Sequence, residues 1–423
     1  MRRIFLSSIL LVLNFGLSAQ ERLRISKQEA ETIFLQNNLL LISEKLNIES
    51  QQAEVIQAKS WANPEFSISE INLWKNSTVE PSPPFFGNLG RNQQIAFEIS
   101  QLVQTAGKRK KLIALEEVDV SKAEKYFEDL LRGLKLELRN KLIDLQYIQH
   151  SIKVHQKLIE SISILTNAYQ NQLSAGNISK AEYIRLKAQH LEINKEILEL
   201  NHQSNEVQKE LRLLLRLSPT FSIEITDDDF MKSAKSYEML FADQTIESAK
   251  ENRPDYKLAL LEEDYSQKRL AYEKAQRTPD LKFGVNYDRN GSTMLNFVGV
   301  GVSFDLPFFN RNKGNIQKAQ ISIENAKIQR EQADLTIRNE IYLSYQLLQQ
   351  ATDFLNTIEI DYETDLDLLL ESYTKNFTAR NVSMLEYFDF MDAYLSNKKI
   401  ILEAQKNVAQ KTEELNYSLG KDL

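Results

Sequence analysis

Residues 294–319 read MLNFVGVGVSFDLPFFNRNKGNIQKA, and within them the apolar period changes from that of a strand to that of a helix. Asn296, Val298, Val300, Val302 and Phe304 share one face of an extended segment, and Leu295, Phe297, Gly299, Gly301 and Ser303 share the other. Neither face is strongly charged. After Pro307 and a polar turn from Asn310 to Gly314, Ile316, Ala319, Ile323 and Ala326 recur at threes and fours, the spacing of a helix. The stretch predicts a short apolar strand that feeds directly into a long helix.

Upstream, Asp280 to Arg289 reads as a second strand, joined to the first across Asn290-Gly291, a strong hairpin signal. Before it lies a helix from Asp243 to Gln276, interrupted near Pro254 and ended at Thr278-Pro279, because the residue before proline is pushed out of helical geometry. The same order occurs earlier in the chain. Asn37 to Pro64 resembles Asn252 to Pro279 at an offset of 215 residues, and Tyr169 to Leu215 resembles Tyr373 to Leu419 at an offset of 204. In the first copy a helix spans Lys27 to Ser60, and the strands are Glu65 to Leu73 and Gln93 to Val103. The smaller second offset places about eleven extra residues between Pro64 and Leu112, in the loop holding Trp74 and PSPPFFGN.

Long helices follow each pair of strands. Only eight prolines occur, and none falls between Lys108 and Leu217 or between Asn315 and Leu419, so long helices are free to form there. Lys108 to Leu173 at 1.5 Å per residue is roughly 100 Å long. Phe127, Leu131, Leu134, Leu138, Leu142, Leu145, Ile152, Ile159, Ile162 and Tyr169 mark its coiled-coil seam. Gly176 in one half and Arg380 in the other mark reversals into second helices, Ser179 to Leu217 and Ser383 to Leu419. The expected organisation is a signal peptide at 1–19, a first repeat at 20–217, a linker at 218–242 and a second repeat at 243–423.

Arg2 and Arg3, the apolar run from Ile4 to Leu17 and the small residues Ser18 and Ala19 read as a secretory signal; an uncleaved anchor is the alternative. Removing the two arginines takes the net charge from −7 to −9, and an acidic chain argues against nucleic acid as a partner. The chain holds no cysteine, which removes disulfides and thiolate metal sites. His150, His155, His190 and His202 form no ligand-spaced pair, and His155 reads as a packing residue on the seam. No metal, cofactor or catalytic motif is read, so the chain is expected not to be an enzyme.

Two hairpins per chain cannot close a barrel and leave open edges. The remedy is oligomerisation, with lipid against the apolar strand faces; a small soluble sheet on a helical stalk is the opposing reading. The signal sequence, the two-fold repeat, LPFFNRNKG (306–314) and its counterpart TAGKRKK (105–111) resemble the TolC family of outer-membrane efflux ducts over essentially the whole mature chain. Gly107 to Arg109 and Leu306 to Asn312 are most similar to its heavy-metal branch, the CzcC and CusC type.

That resemblance implies a mainly α fold with four short β-strands, in which helical hairpins and β-hairpins of a homotrimer form an α-barrel and a twelve-stranded β-barrel. It implies a passive exit duct in the outer membrane of a Gram-negative bacterium, with its helical part in the periplasm. Its partners would be outer-membrane lipid, a periplasmic adaptor and an inner-membrane pump of the resistance-nodulation-division type, with heavy-metal cations as the cargo; drug or protein export by the same kind of duct is the alternative, and a soluble periplasmic adaptor or stalk an alternative of another class. The reversals Ala175, Gly176, Asn177, Ile178 and Ala379, Arg380, Asn381, Val382 match the family's periplasmic tip, which contacts the adaptor. They also read simply as helix-hairpin turns. Glu182, Glu386 and Asp389 match the gate, where copies around a three-fold axis would favour cations and raise one another's pKa; a solvated helix face is the plainer reading. Arg380 replaces a usual glycine, and Val382 stands where TolC itself has a gate arginine. Trp74, Phe85, Phe86, Phe308 and Phe309 lie near strand ends, as an interfacial belt or as turn packing.

Overall fold

The computed structural model of the chain describes residues 21–69, 94–226, 243–289, 291, 294–359 and 361–422. The signal sequence, Trp74, Phe85, Phe86, the distal part of the first predicted strand, Asn290 of the hairpin turn and most of the predicted linker lie outside those residues. Two compact units are present, one of Met1–Ile42, Leu131–Thr245 and Glu340–Leu423, the other of Ser43–Leu130 and Ile246–Asn339.

The second unit carries a four-stranded antiparallel sheet. Strands β2 (Glu65–Ser69), β3 (Ile95–Val103), β5 (Leu281–Arg289) and β6 (Asn296–Ser303) pair in the order β2-β3-β5-β6. The central β3–β5 pairing joins the hairpin of one repeat to that of the other, with Ile99 opposite Val285 and Phe97 opposite Tyr287. Among the described residues β2 and β6 each keep one unpaired edge. Helices α2 (Leu39–Lys59) and α6 (Pro254–Ala275) lead into the hairpins, and α3 (Lys108–Ser174) and α7 (Lys313–Asn356) lead out of them.

In the first unit α3, α4 (Lys180–Leu215), α8 (Tyr362–Thr378) and α9 (Met384–Leu419) enclose a core that includes Leu158, Ile162, Leu186, Leu370, Phe377 and Met391. Aromatic rings stack through it: Tyr169 on Phe377 at 5.3 Å, Phe377 on Tyr387 at 4.7 Å, and Tyr373 on Phe390 at 4.2 Å. Helices α4 and α9 are each 36 residues long and are offset by the same 204 positions at both ends.

Three features differ from the sequence reading. The first predicted helix is two, α1 (Lys27–Asn37) and α2, because buried Asn38 leaves helical geometry and its Oδ1 accepts from the N–H groups of Leu40 (3.0 Å) and Leu41 (3.1 Å). The second repeat breaks at the equivalent place, as the sequence reading expects near Pro254, between α5 (Asp243–Asn252) and α6, where Arg253 precedes Pro254 at the first helical position. The proline-free stretch after Asn315 breaks between α7 and α8. There the N–H groups of Thr357 and Ile358 bond three residues back, to Phe354 (3.0 Å) and Leu355 (3.1 Å), and the Thr357 hydroxyl bonds the same Phe354 carbonyl at 2.7 Å. This tightens and ends the helix without proline.

The third difference is a parallel pair, β1 (Glu21–Ile25) with β4 (Phe221–Ile225), which places Leu23 opposite Ile223. Ile25, Ile223 and Ile225 are buried. The free edge of β4 is satisfied by helix side chains: Gln208 Oε1 accepts from Ile223 N–H (3.0 Å), Gln149 Oε1 from Ile225 N–H (3.3 Å), and Arg212 donates to the Phe221 carbonyl (3.0 Å).

Candidate channel wall and helical tip

The ladder register sorts the sheet into two unlike faces. Phe66, Ile68, Phe97, Ile99, Phe283, Val285, Tyr287, Val298, Val300 and Val302 share one face. Val300 is 85 % exposed and Val298 68 %. The opposite face carries Glu65, Ser67, Glu98, Ser100, Lys282, Asn286 and Asp288, with Gly284, Gly299 and Gly301 among them. A Cβ at Gly284 would come within 2.8 Å of Glu98 Oε1, and one at Gly299 within 2.5 Å of Asn286 Oδ1, so these glycines make room for polar side chains. Among the described residues the sheet thus has an apolar solvent-facing side, a polar side and two open edges.

The strand-to-helix junctions, TAGKRKK and LPFFNRNKG, are fastened to the segment between α6 and β5. Asp280 Oδ1 accepts from Thr105 N–H (2.9 Å) and from buried Lys108 Nζ (2.8 Å), while Asn312, at φ +56°, donates through Nδ2 to Glu273 Oε2 (2.7 Å).

The two predicted tip turns adopt one geometry. Gly176 sits at φ +75°, its N–H bonds the Leu173 carbonyl (3.0 Å), and Asn177 N–H reaches the Gln172 carbonyl (2.9 Å). Arg380 sits at φ +63°, with Arg380 N–H on Phe377 (3.0 Å) and Asn381 N–H on Asn376 (2.9 Å). Both are Schellman closures, which favour glycine at the left-handed residue. Ala175 and Ala379 bond four residues back, to Asn171 and Lys375, and Ile178 and Val382 lead into the next helices half-buried. The turns also meet each other. Gln172 Oε1 accepts from Asn177 Nδ2 (2.8 Å) and from Arg380 Nη2 (3.4 Å), so the arginine that departs from glycine bridges the two hairpins.

Glu182 and Glu386 are engaged at the starts of their own helices. Ser179 N–H donates to Glu182 Oε2 at 2.8 Å while the Ser179 hydroxyl accepts from Glu182 N–H, and Ser383 does the same with Glu386. These bonds hold both carboxyls below the usual carboxylate range, with Arg380 adding to the effect on Glu182. Within one chain the direction is therefore opposite to that expected of a repelling ring, since the capping donors stabilise the charged form. Asp389 is exposed on α9. The sequence reading missed Asp392 and Glu192. Partial burial first, then Glu192 and Asp389, push the Asp392 carboxyl up, and the α9 spacing Asp389, Asp392 was the signal available for it.

His155 does more than pack: Nδ1 lies 2.7 Å from the Ser151 carbonyl oxygen and Nε2 lies 3.1 Å from Glu196 Oε2, across α3 and α4. Among the described residues no group of histidines and carboxylates could hold a metal ion, and no helix is long and apolar enough to cross a membrane.

The model of the family described as outer membrane efflux protein matches residues 245–421, the repeat that supplies β5, β6 and the α8–α9 tip. The likeness extends over the rest of the chain. The cobalt-zinc-cadmium resistance protein CzcC of Cupriavidus metallidurans is 20% identical over 366 residues, 84% of this chain and 80% of that protein. The toxin and drug export protein A of Aggregatibacter actinomycetemcomitans is 22% identical over 306 residues, 68% of this chain and 64% of that one. The crystal structure of CusC, described with its transmembrane channel formation, superposes with a TM-score of 0.73 at 16% identity, covering 94% of this chain and 92% of its own. The chain thus has the TolC-type fold, built of helical hairpins and a small number of strands.

Proposed function

We propose that the chain is the exit duct of a tripartite efflux system in the outer membrane of a Gram-negative bacterium, a passive conduit and not an enzyme. The observation that carries this is the sheet: an apolar outward face, a polar glycine-lined face and two unpaired edges call for further copies and for lipid. Three copies would supply twelve strands, with the apolar face toward lipid and the Glu98 face toward the lumen. The turns at 175–178 and 379–382 are the surface for a periplasmic adaptor, which couples the duct to an inner-membrane pump. Glu182, Glu386 and Asp389 lie next to those turns and are assigned to the entrance. The likeness to CzcC and CusC favours heavy-metal cations as substrate, with the ions passing through as cargo; the likeness to a toxin and drug export protein supports a drug or toxin duct as the second reading.

The test is fractionation and sizing followed by planar-bilayer recording. Expressed as the full precursor in a Gram-negative host, the protein should be found in the outer-membrane fraction, extract as a species of three chains and conduct when reconstituted. A soluble monomer or dimer in the periplasmic fraction would overturn the duct and favour a stalk or adaptor.

A further inference from the structure

Given the outer-membrane placement proposed above, we propose that the two strand-to-helix junctions form a collar that binds anionic phospholipid headgroups at the periplasmic surface of the bilayer. The alternation of β6 outlasts its pairing. Beyond Val302, Phe304, Leu306 and Phe308 continue the every-second-residue apolar series at 53%, 61% and 66% exposure, and Phe309 is fully exposed. The turn is fixed by Phe308 N–H on the Leu306 carbonyl (2.8 Å) and by Arg311 Nε on the Pro307 carbonyl (3.3 Å). The Phe309 ring is not packed in the turn and touches solvent all round in the single chain.

Cations accompany these rings at both junctions. Arg311 and Lys313 follow Phe309 directly and are exposed, and among the described residues neither has a carboxylate partner. On the other junction Arg109 lies 4.1 Å over the ring of Trp61, which is 62% exposed, and Lys110 next to it is exposed and likewise unpaired by any carboxylate among the described residues. The bonds of Thr105 and Lys108 to Asp280, and of Asn312 to Glu273, hold both junctions to one short segment, residues 273–280. Aromatic rings beside unpaired arginine and lysine suit the boundary where acyl chains meet phosphates. Continuity with the apolar sheet face and the uncompensated positive charge favour lipid as the occupant over a second copy of the chain.

The test uses the full-length trimer. In a Trp61→Phe, Trp74→Phe background, Phe309→Trp is reconstituted in vesicles of phosphatidylcholine and phosphatidylglycerol brominated at defined depths. Indole emission should be quenched most by bromine near the headgroup. Separately, the detergent-extracted wild type should retain phosphatidylglycerol over phosphatidylcholine in native mass spectrometry, and Lys110→Gln, Arg311→Gln and Lys313→Gln should each lower that preference by up to about fivefold. An indole unquenched at every depth, or shielded by cross-linking to a neighbouring copy, overturns the lipid assignment, as does equal retention of the two lipids by wild type. A trimer that inserts but shows either result removes the collar alone, whereas failure to form a membrane-inserted trimer removes the duct reading and the collar with it.

Discussion

Arg380 holds a left-handed backbone with a Cβ, where the equivalent turn uses Gly176. That conformation costs an L-residue about 1–2 kcal/mol, while the exposed 3.4 Å bond to Gln172 returns little. Arg380→Gly is therefore expected to stabilise the α8–α9 turn by roughly 0.5–1 kcal/mol, seen as slower amide exchange around Asn381 in hydrogen-exchange mass spectrometry; faster exchange would mean that the bridge to the first hairpin outweighs the strain. The capping carboxylates add a pH dependence. Folded-state values below the unfolded ones mean that the caps of α4 and α9 are fully present above the ordinary carboxylate range and are lost as pH falls through the lowered values. Acidification should loosen both turns, and Ser179→Ala with Ser383→Ala should reduce that acid response, leaving the part carried by the backbone N–H groups of residues 179 and 383, while weakening each helix start by about 1 kcal/mol. The two helix-hairpin turns were legible because a Schellman glycine and the S-x-x-E cap are local signals, and the engagement of Glu182 and Glu386 with their own serines is equally local. The Arg380–Gln172 bridge was not legible, since it joins positions 208 residues apart.

Between helices, a polar cluster surrounds Arg139, which is 8% exposed and bonds Glu31 (2.7 Å), Glu413 (2.7 Å) and Asp422 (2.6 and 2.9 Å), tying α1, α3, α9 and the C-terminal residues together. Lys27 joins from α1 by pairing with Glu413. Arg139 and its neighbours hold the Glu413 and Asp422 carboxyls low, against the burial that opposes this. Their contribution is thus present above the unfolded carboxylate value and lost as pH falls. Arg139→Met leaves Glu413 buried with one partner fewer and should cost about 3–5 kcal/mol, whereas Arg139→Met with Glu413→Leu should recover much of it; denaturant titration of the detergent-solubilised protein checks both. The strands and long helices were readable because their periods are local and proline marks where helices cannot run. The helix breaks at Asn38 and Thr357 were not, because each rests on one side chain turning back onto the backbone. The β1–β4 pair was also missed, although Phe221, Ile223 and Ile225 alternate: its two halves lie 200 residues apart and each is only five residues long.

Burial differs across the sheet in a way that sets opposite expectations for its two faces. Val300→Asp on the apolar face puts a carboxylate where lipid is expected and should prevent insertion, read as loss of the protein from the outer-membrane fraction. Glu98→Gln on the polar face should leave assembly intact and lower cation-over-anion selectivity in reversal-potential measurements. The repeat announced this sheet in the sequence, but the β3–β5 pairing that fuses its hairpins depends on contacts some 190 positions apart and had to be seen. The unpaired edges of β2 and β6 also bear on inheritance. If a ring closes only when every member offers both borders, a strand-breaking proline at Val300 that still allows the other border to pair will spoil any ring it enters. Co-expressed in equal amount with the normal gene, such an allele would leave only about one ring in eight free of it, and the trait would be dominant in a haploid cell carrying both copies.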